Sequence, residues 1–147
     1  PIPPDWALTN RAIERSMLLY SNAFTPPGSE FDTASELLIL TRVSRGTGSL
    51  EQLVENARAE LKKRCGADVR LSTLLQEPNR LVTETVARGC RKIDYEYRLN
   101  AYLLGSDALF QAEYLARKAP DPTALHDTWV PRMLAIGIRP VAGQNSQ

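Results

Sequence analysis

The stretch CRKIDYEYRLNAYLL, residues 90–104, constrains the fold more than any other part of the chain. Ile93, Tyr95, Tyr97, Leu99 and Ala101 alternate with Asp94, Glu96, Arg98 and Asn100. Successive side chains of a β-strand point to opposite faces, so a two-residue period specifies a strand with one apolar face and one polar face. Strand candidates flank it: DVRLSTLLQ (68–76) and RLVTETVARG (80–89) before it, ALFQAEYLARK (108–118) after it. The short GSD segment, residues 105–107, is a turn of hairpin length.

Upstream, Leu38, Leu40 and Arg42 alternate with Leu37, Ile39, Thr41 and Val43, so the middle of this run is apolar on both faces. That pattern belongs to a central strand covered on two sides. A further strand is expected at Arg15–Asn22. Residues 1–12 read as an extended arm that Trp6 and Leu8 could pin to the body. Pro26, Pro27 and Gly28 mark residues 25–33 as a loop.

Two helices punctuate the strands. In GSLEQLVENARAELKKRCG, Ser49 is placed to cap the first turn, and Gln52 stands where a capping box needs it. Leu50, Leu53, Val54, Ala57 and Leu61 fall on one helical face, and Gly66 supplies the left-handed stop. In the second, Asp121 caps, Pro122 takes the first helical position, and Leu125, Trp129 and Met133 recur at helical spacing. Pro131 within that run is expected to kink or shorten it. The order implies an α+β fold, an antiparallel sheet with helices packed on it. A single domain is expected over residues 13–138, and residues 139–147 read as a tail.

The 147 residues are 43% hydrophobic and 24% charged, a globular balance, with a formal net charge of +1. Near-neutrality argues against nucleic acid as the partner, because such binders carry a basic excess. No apolar run approaches the roughly 20 residues of a membrane-spanning helix. The opening PIPPDW has no methionine; it fits either a tether leaving a processing site after a lost signal peptide or lipid anchor, or a tag removed from a trimmed chain, and an exported form is the expectation.

Chemistry-bearing residues are few. Cys65 and Cys90 are the two cysteines. They can form a disulfide, stand as two core thiols, or supply a nucleophile activated by Arg64 or Arg91. Counting favours the disulfide, which implies an oxidising compartment. With one histidine, the ligands for a metal site are too few, so no metal is expected. His126 sits beside Asp127, but neighbours on a helix point apart, so a surface or capping role is expected. There is no nucleophile elbow and no phosphate loop, hence no cofactor and no catalytic residue is assigned. The carboxylates Glu30, Asp32, Glu36, Asp94, Glu96, Asp107 and Glu113 form no pair that the sequence places across a cleft. Asp94, Glu96 and Arg98 read as the solvated face of a strand.

The run ASELLILTRVSRGTGSLEQLVENARAELKKRCGADV resembles the PsbP-like family, which includes photosystem accessory proteins and DcrB-type periplasmic proteins. The likeness lies in the strand Leu38–Val43, the helix Ser49–Arg64, the hairpin Lys92–Lys118 and the helix near Asp121–Ile136. It implies an α/β/α sandwich around a curved antiparallel sheet, with no shared catalytic set. The function it implies is non-catalytic protein binding in the periplasm. The expected role is an immunity-type inhibitor of a secreted antibacterial effector, such as those of type VI secretion; the alternative is an assembly or chaperone-type accessory factor. Two loops are the candidate contact surfaces. One carries Phe24, Pro26, Pro27, Glu30, Phe31 and Asp32, where prolines lower the ordering cost and aromatics anchor. The other is the hairpin tip Gly105, Ser106 and Asp107.

Overall fold

A computed structural model describes residues 2–14, 19–44, 49–65, 69–90, 93–118 and 121–137. The strands are β1 (Ala7–Glu14), β2 (Leu19–Thr25), β3 (Glu36–Ser44), β4 (Val69–Glu77), β5 (Arg80–Cys90), β6 (Ile93–Leu104) and β7 (Ala108–Ala116). The helices are α1 (Leu50–Cys65) and α2 (Pro122–Leu134). All seven strands form one antiparallel sheet in the order β1-β2-β3-β7-β6-β5-β4. It is two meanders, β1–β3 and β4–β7, sealed where β7 pairs with β3 from Glu36↔Ala116 to Ser44↔Ala108.

The expected α/β/α sandwich is corrected by this architecture. Among the described residues 53% are strand and 24% helix, so the sheet dominates the fold. Each face carries one helix. α1 lies over β5 and β4, and α2 lies over β6 and β5. Neither extends as a layer across β1 and β2, because two helices cannot cover seven strands.

The alternation of β6 sorts the core between the faces. Tyr97, Leu99 and Ala101 point to α2 and pack with Val82, Ala112, Tyr114, Trp129 and Met133. Tyr102 points to α1 and packs with Leu50, Val54 and Leu81. Trp129 is the hinge of the larger cluster: it stacks on Tyr114 at 4.0 Å between ring centres and meets Trp6 at 5.5 Å. Burial, and then donation to Glu36 at 2.8 Å, push the Tyr114 phenol up.

Leu37 and Leu38 are both buried, as expected of a central strand. The cover on the Leu37 side is not a helix. It is the β2–β3 loop, whose Ala34 and Phe31 pack on Leu37 and Leu115. Trp6 is pinned as expected, whereas Leu8 is exposed and pins nothing. Part of the expected arm, Ala7–Glu14, pairs with β2 as an edge strand and shifts register between Leu8 and Asn10. β2 starts at Leu19; residues 15–18 of the strand expected at Arg15–Asn22 lie outside the described residues, as do Gly66 and residues 139–147.

Helix ends follow the local signals. The Gln52 N–H donates to Ser49 Oγ at 3.2 Å, but the Gln52 side chain turns to Asn56 instead of closing a capping box. Thr123 N–H donates to Asp121 Oδ1 at 2.8 Å, and the helix runs through Pro131 to Leu134. Cys90 ends β5 instead of opening β6, and it is bridged to Cys65, closing a separation of 25 residues. A closure of that length contributes about 3.5 kcal/mol in the chain-entropy account.

Trp129→Ala should lower the unfolding free energy by about 3–5 kcal/mol in urea titrations, since it empties the contact between α2 and the sheet. Leu8→Ala, at an exposed edge, should stay within about 0.5 kcal/mol of wild type.

Candidate functional site

Two surfaces result from this layout, one on each face of the sheet. On the α1 face, the polar residues of β6 and β7 lie under or beside the helix. Glu96 is 1% exposed and accepts from Arg64 Nη2 at 2.9 and 3.1 Å and from Arg98 Nη2 at 2.7 Å. Arg98 Nη1 reaches Glu113 Oε1 at 3.2 Å. Gln111 Nε2 donates to Asn100 Oδ1 at 2.8 Å and to Glu113 Oε2 at 3.2 Å. The result is one connected polar network, and the reading of Glu96 and Arg98 as a solvated strand face is corrected. A buried carboxylate needs charged partners, and here two guanidiniums supply them.

The disulfide helps to fix this network, because Arg64 is the residue before Cys65 and is therefore tethered over the end of β5. A cavity of about 360 Å³ lies between α1 and the sheet. Val54, Ala57 and Leu61 of α1 and Leu71 of β4 form an apolar wall. Thr83, Thr85, Arg98, Asn100 and Tyr102 form a polar floor. Burial pushes the Tyr102 phenol up to about 12.

On the α2 face, a row of side chains crosses the sheet beyond the helix. The register gives Ile13↔Tyr20, Tyr20↔Arg42, Arg42↔Phe110 and Leu103↔Phe110. Ile13 is 58% and Tyr20 45% exposed. The Arg42 guanidinium sits 5.9 Å from the centre of the Phe110 ring and pairs with Asp107 at 2.9 Å. A trough of about 450 Å³ runs along this row past Leu40 to Ile136 at the end of α2.

The two candidate loops are not brought together. They lie at opposite ends of the β3–β7 pair, about 27 Å apart at roughly 3.4 Å per residue. Pro26, Pro27 and Gly28 form a tight turn closed by Ser29 N–H to Pro26 O, with Gly28 at φ +74. Glu30 and Asp32 are exposed beside it. Phe24 packs on the α2-face core and Phe31 on the opposite face, so the two aromatics do not share a surface. At the other tip, Gly105 N–H donates to Ala108 O with Ser106 and Asp107 exposed between them. Through Arg42, Asp107 borders the open row.

His126 is not paired with Asp127. Its Nδ1 lies 2.7 Å from Glu84 Oε1, which also accepts from the Tyr97 hydroxyl at 2.7 Å. Among the described residues no group of three or more His, Cys, Asp or Glu side chains could hold a metal ion, and no helix is long and apolar enough to cross a membrane. No protein-family model, no curated protein and no solved structure matches the chain.

Burial pushes the Glu113 carboxyl above its usual range; the Arg98 charge opposes the shift, Glu96 adds to it and Arg64 opposes it. A carboxyl raised on folding binds its proton more tightly in the folded state, so its contribution to stability falls as pH rises from the unfolded value through the folded one. Glu113→Gln removes that titration. Urea unfolding at stepped pH should show the variant gaining on wild type across this window, with no further gain above it; a difference independent of pH would contradict the assignment.

Proposed function

We propose that the protein is a non-catalytic protein-binding domain of an oxidising extracytoplasmic compartment, in a bacterium the periplasm. Its partner in this reading is a secreted antibacterial effector, inhibited by occlusion of its substrate groove. The observation that carries the reading is the row Ile13–Tyr20–Arg42–Phe110–Leu103 on the α2 face, open from Ile13 to Phe110 and closed at the buried Leu103. Tyrosine, phenylalanine and arginine side by side on an exposed apolar surface have the composition of interface hot spots. The row is rigid, because each residue stands on a paired strand, so little order is lost on docking.

The chemistry also describes the partner's surface. Arg11 and Arg42 are cations on this face; Arg42 lies over the Phe110 ring and, among the described residues, pairs with the solvent-exposed Asp107. An apolar side chain flanked by a carboxylate fits that arrangement. The Gly105–Asp107 tip forms the rim of the contact, while Pro26–Asp32 lies too far away to join it. The Cys65–Cys90 bridge agrees with an oxidising compartment. An accessory role at a membrane complex, the second role implied by the PsbP-like resemblance, would use the same row without inhibiting an enzyme.

Ile13→Asp combined with Tyr20→Asp should weaken capture of the partner at least about a hundredfold, two steps of 1.4 kcal/mol each. Both side chains are exposed, so thermal melts should remain near wild type. Pro27→Ala with Asp32→Ala should leave capture unchanged. Retained capture by the first variant, or loss by the second, contradicts this surface; a partner whose activity is unaffected by the complex contradicts inhibition.

A further inference from the structure

The cavity under α1 is independent of the open row and lies on the other face of the sheet. Its volume of about 360 Å³ falls within the range of small-molecule sites. At roughly 30 Å³ per water-sized group it holds about twelve non-hydrogen atoms. The lining divides by chemistry. Val54 and Leu61 of α1 and Leu71 of β4 offer only hydrocarbon, while Thr83, Thr85, Arg98 and Asn100 offer hydrogen-bonding groups.

Arg98 spends Nη2 on Glu96 and Nη1 on Glu113, yet its Nε–H is buried with no partner among the described residues. A buried donor without an acceptor costs free energy that a ligand oxygen would recover. Arg64 engages Glu96 through Nη2 alone and keeps 44% of its side chain exposed at the lip of the cavity. Lys63 stands beside it at the same lip, paired with Glu60 Oε1 at 2.7 Å. Glu96 is already held from two sides, and Glu113 Oε1 stands 3.2 Å from Arg98 Nη1. The cavity thus carries ion-paired guanidiniums at one part of its wall, one of them with an Nε–H still to be satisfied, and hydrocarbon at another.

We propose that this cavity binds a small amphipathic carboxylate, its head held by Arg98 and Arg64 and its hydrocarbon body lying against Val54, Leu61 and Leu71. A planar carboxylate matches the fork of a guanidinium, which favours it over a spherical anion. Length follows from volume: a chain of about eight carbons, or one aromatic ring on a short acid, fills the space. The Cys65–Cys90 bridge holds Arg64 in place before the ligand arrives, so the head-group site is preorganised.

The test uses octanoate as the probe, followed by backbone and arginine-Nε NMR shifts in the intact, disulfide-bonded chain. Octanoate should bind saturably at one per chain, with shifts centred on Thr83, Thr85, Arg98 and Asn100. Octan-1-ol, which has the same tail and no charge, should bind at least about tenfold more weakly, the factor that about 1.4 kcal/mol corresponds to. Arg64→Gln should lose a similar factor. Ala57→Phe, which fills the cavity from the half-buried helix face, should abolish binding while the melting temperature and the spectrum of the α2 face stay near wild type. Absence of a saturable shift at millimolar octanoate would overturn the proposal. So would an equal response to octan-1-ol, full binding by Ala57→Phe, or shifts centred on Tyr20, Leu40 and Phe110.

Discussion

The pairing of β3 with β7 is the constraint on which the other features depend. Nine residues of β3 meet nine of β7 in unbroken antiparallel register. Without this seam the chain would be two separate meanders, each with an extra unpaired edge. With it, the open row on one face becomes continuous from Ile13 to Phe110, and Leu37 on the other face meets Leu115. The partners are distant in sequence, so loop-closure entropy must be met before the contacts form, and such topologies fold slowly.

The sheet separates two tasks by side-chain alternation. Along β6, Tyr97, Leu99 and Ala101 bind α2, while Glu96, Arg98, Asn100 and Tyr102 face α1. A one-residue slip would exchange the two sets, burying charges in the Trp129 cluster. Register on β6 is therefore held by chemistry on both faces. The disulfide adds a tether at the end of β5 where the helix cover stops.

Most local signals in the sequence hold in the structure and the long-range ones do not, although the Gln52 capping box stays open and α2 runs through Pro131. Both helices, the hairpin turn at Gly105–Asp107 and the alternation of β6 were legible because each depends on neighbours within a few residues. β1 was not: all eight of its residues are exposed, so no apolar period marks it, and it holds to the sheet by backbone pairing. The α/β/α layering came from a resemblance and from the two-sided apolarity of Leu37–Leu40; the chain covers one of those sides with a loop. Glu96 looked solvated because a polar face and a buried polar face read alike in sequence. What distinguishes them is Arg64, 32 residues away. The open row was illegible for the same reason. Its residues come from five strands and are gathered by register alone, whereas the Pro-Pro-Gly loop is marked by local composition.

The most direct test of this account is a set of nuclear Overhauser contacts between backbone protons of β3 and β7. The register requires close approach of Leu38 to Tyr114, Leu40 to Ala112 and Arg42 to Phe110. Observing all three would establish the seam, and with it the open row on one face and the Leu37–Leu115 contact on the other. Contacts from β3 to β4 in their place, or none across the seam, would contradict the sheet order from which both surfaces are derived.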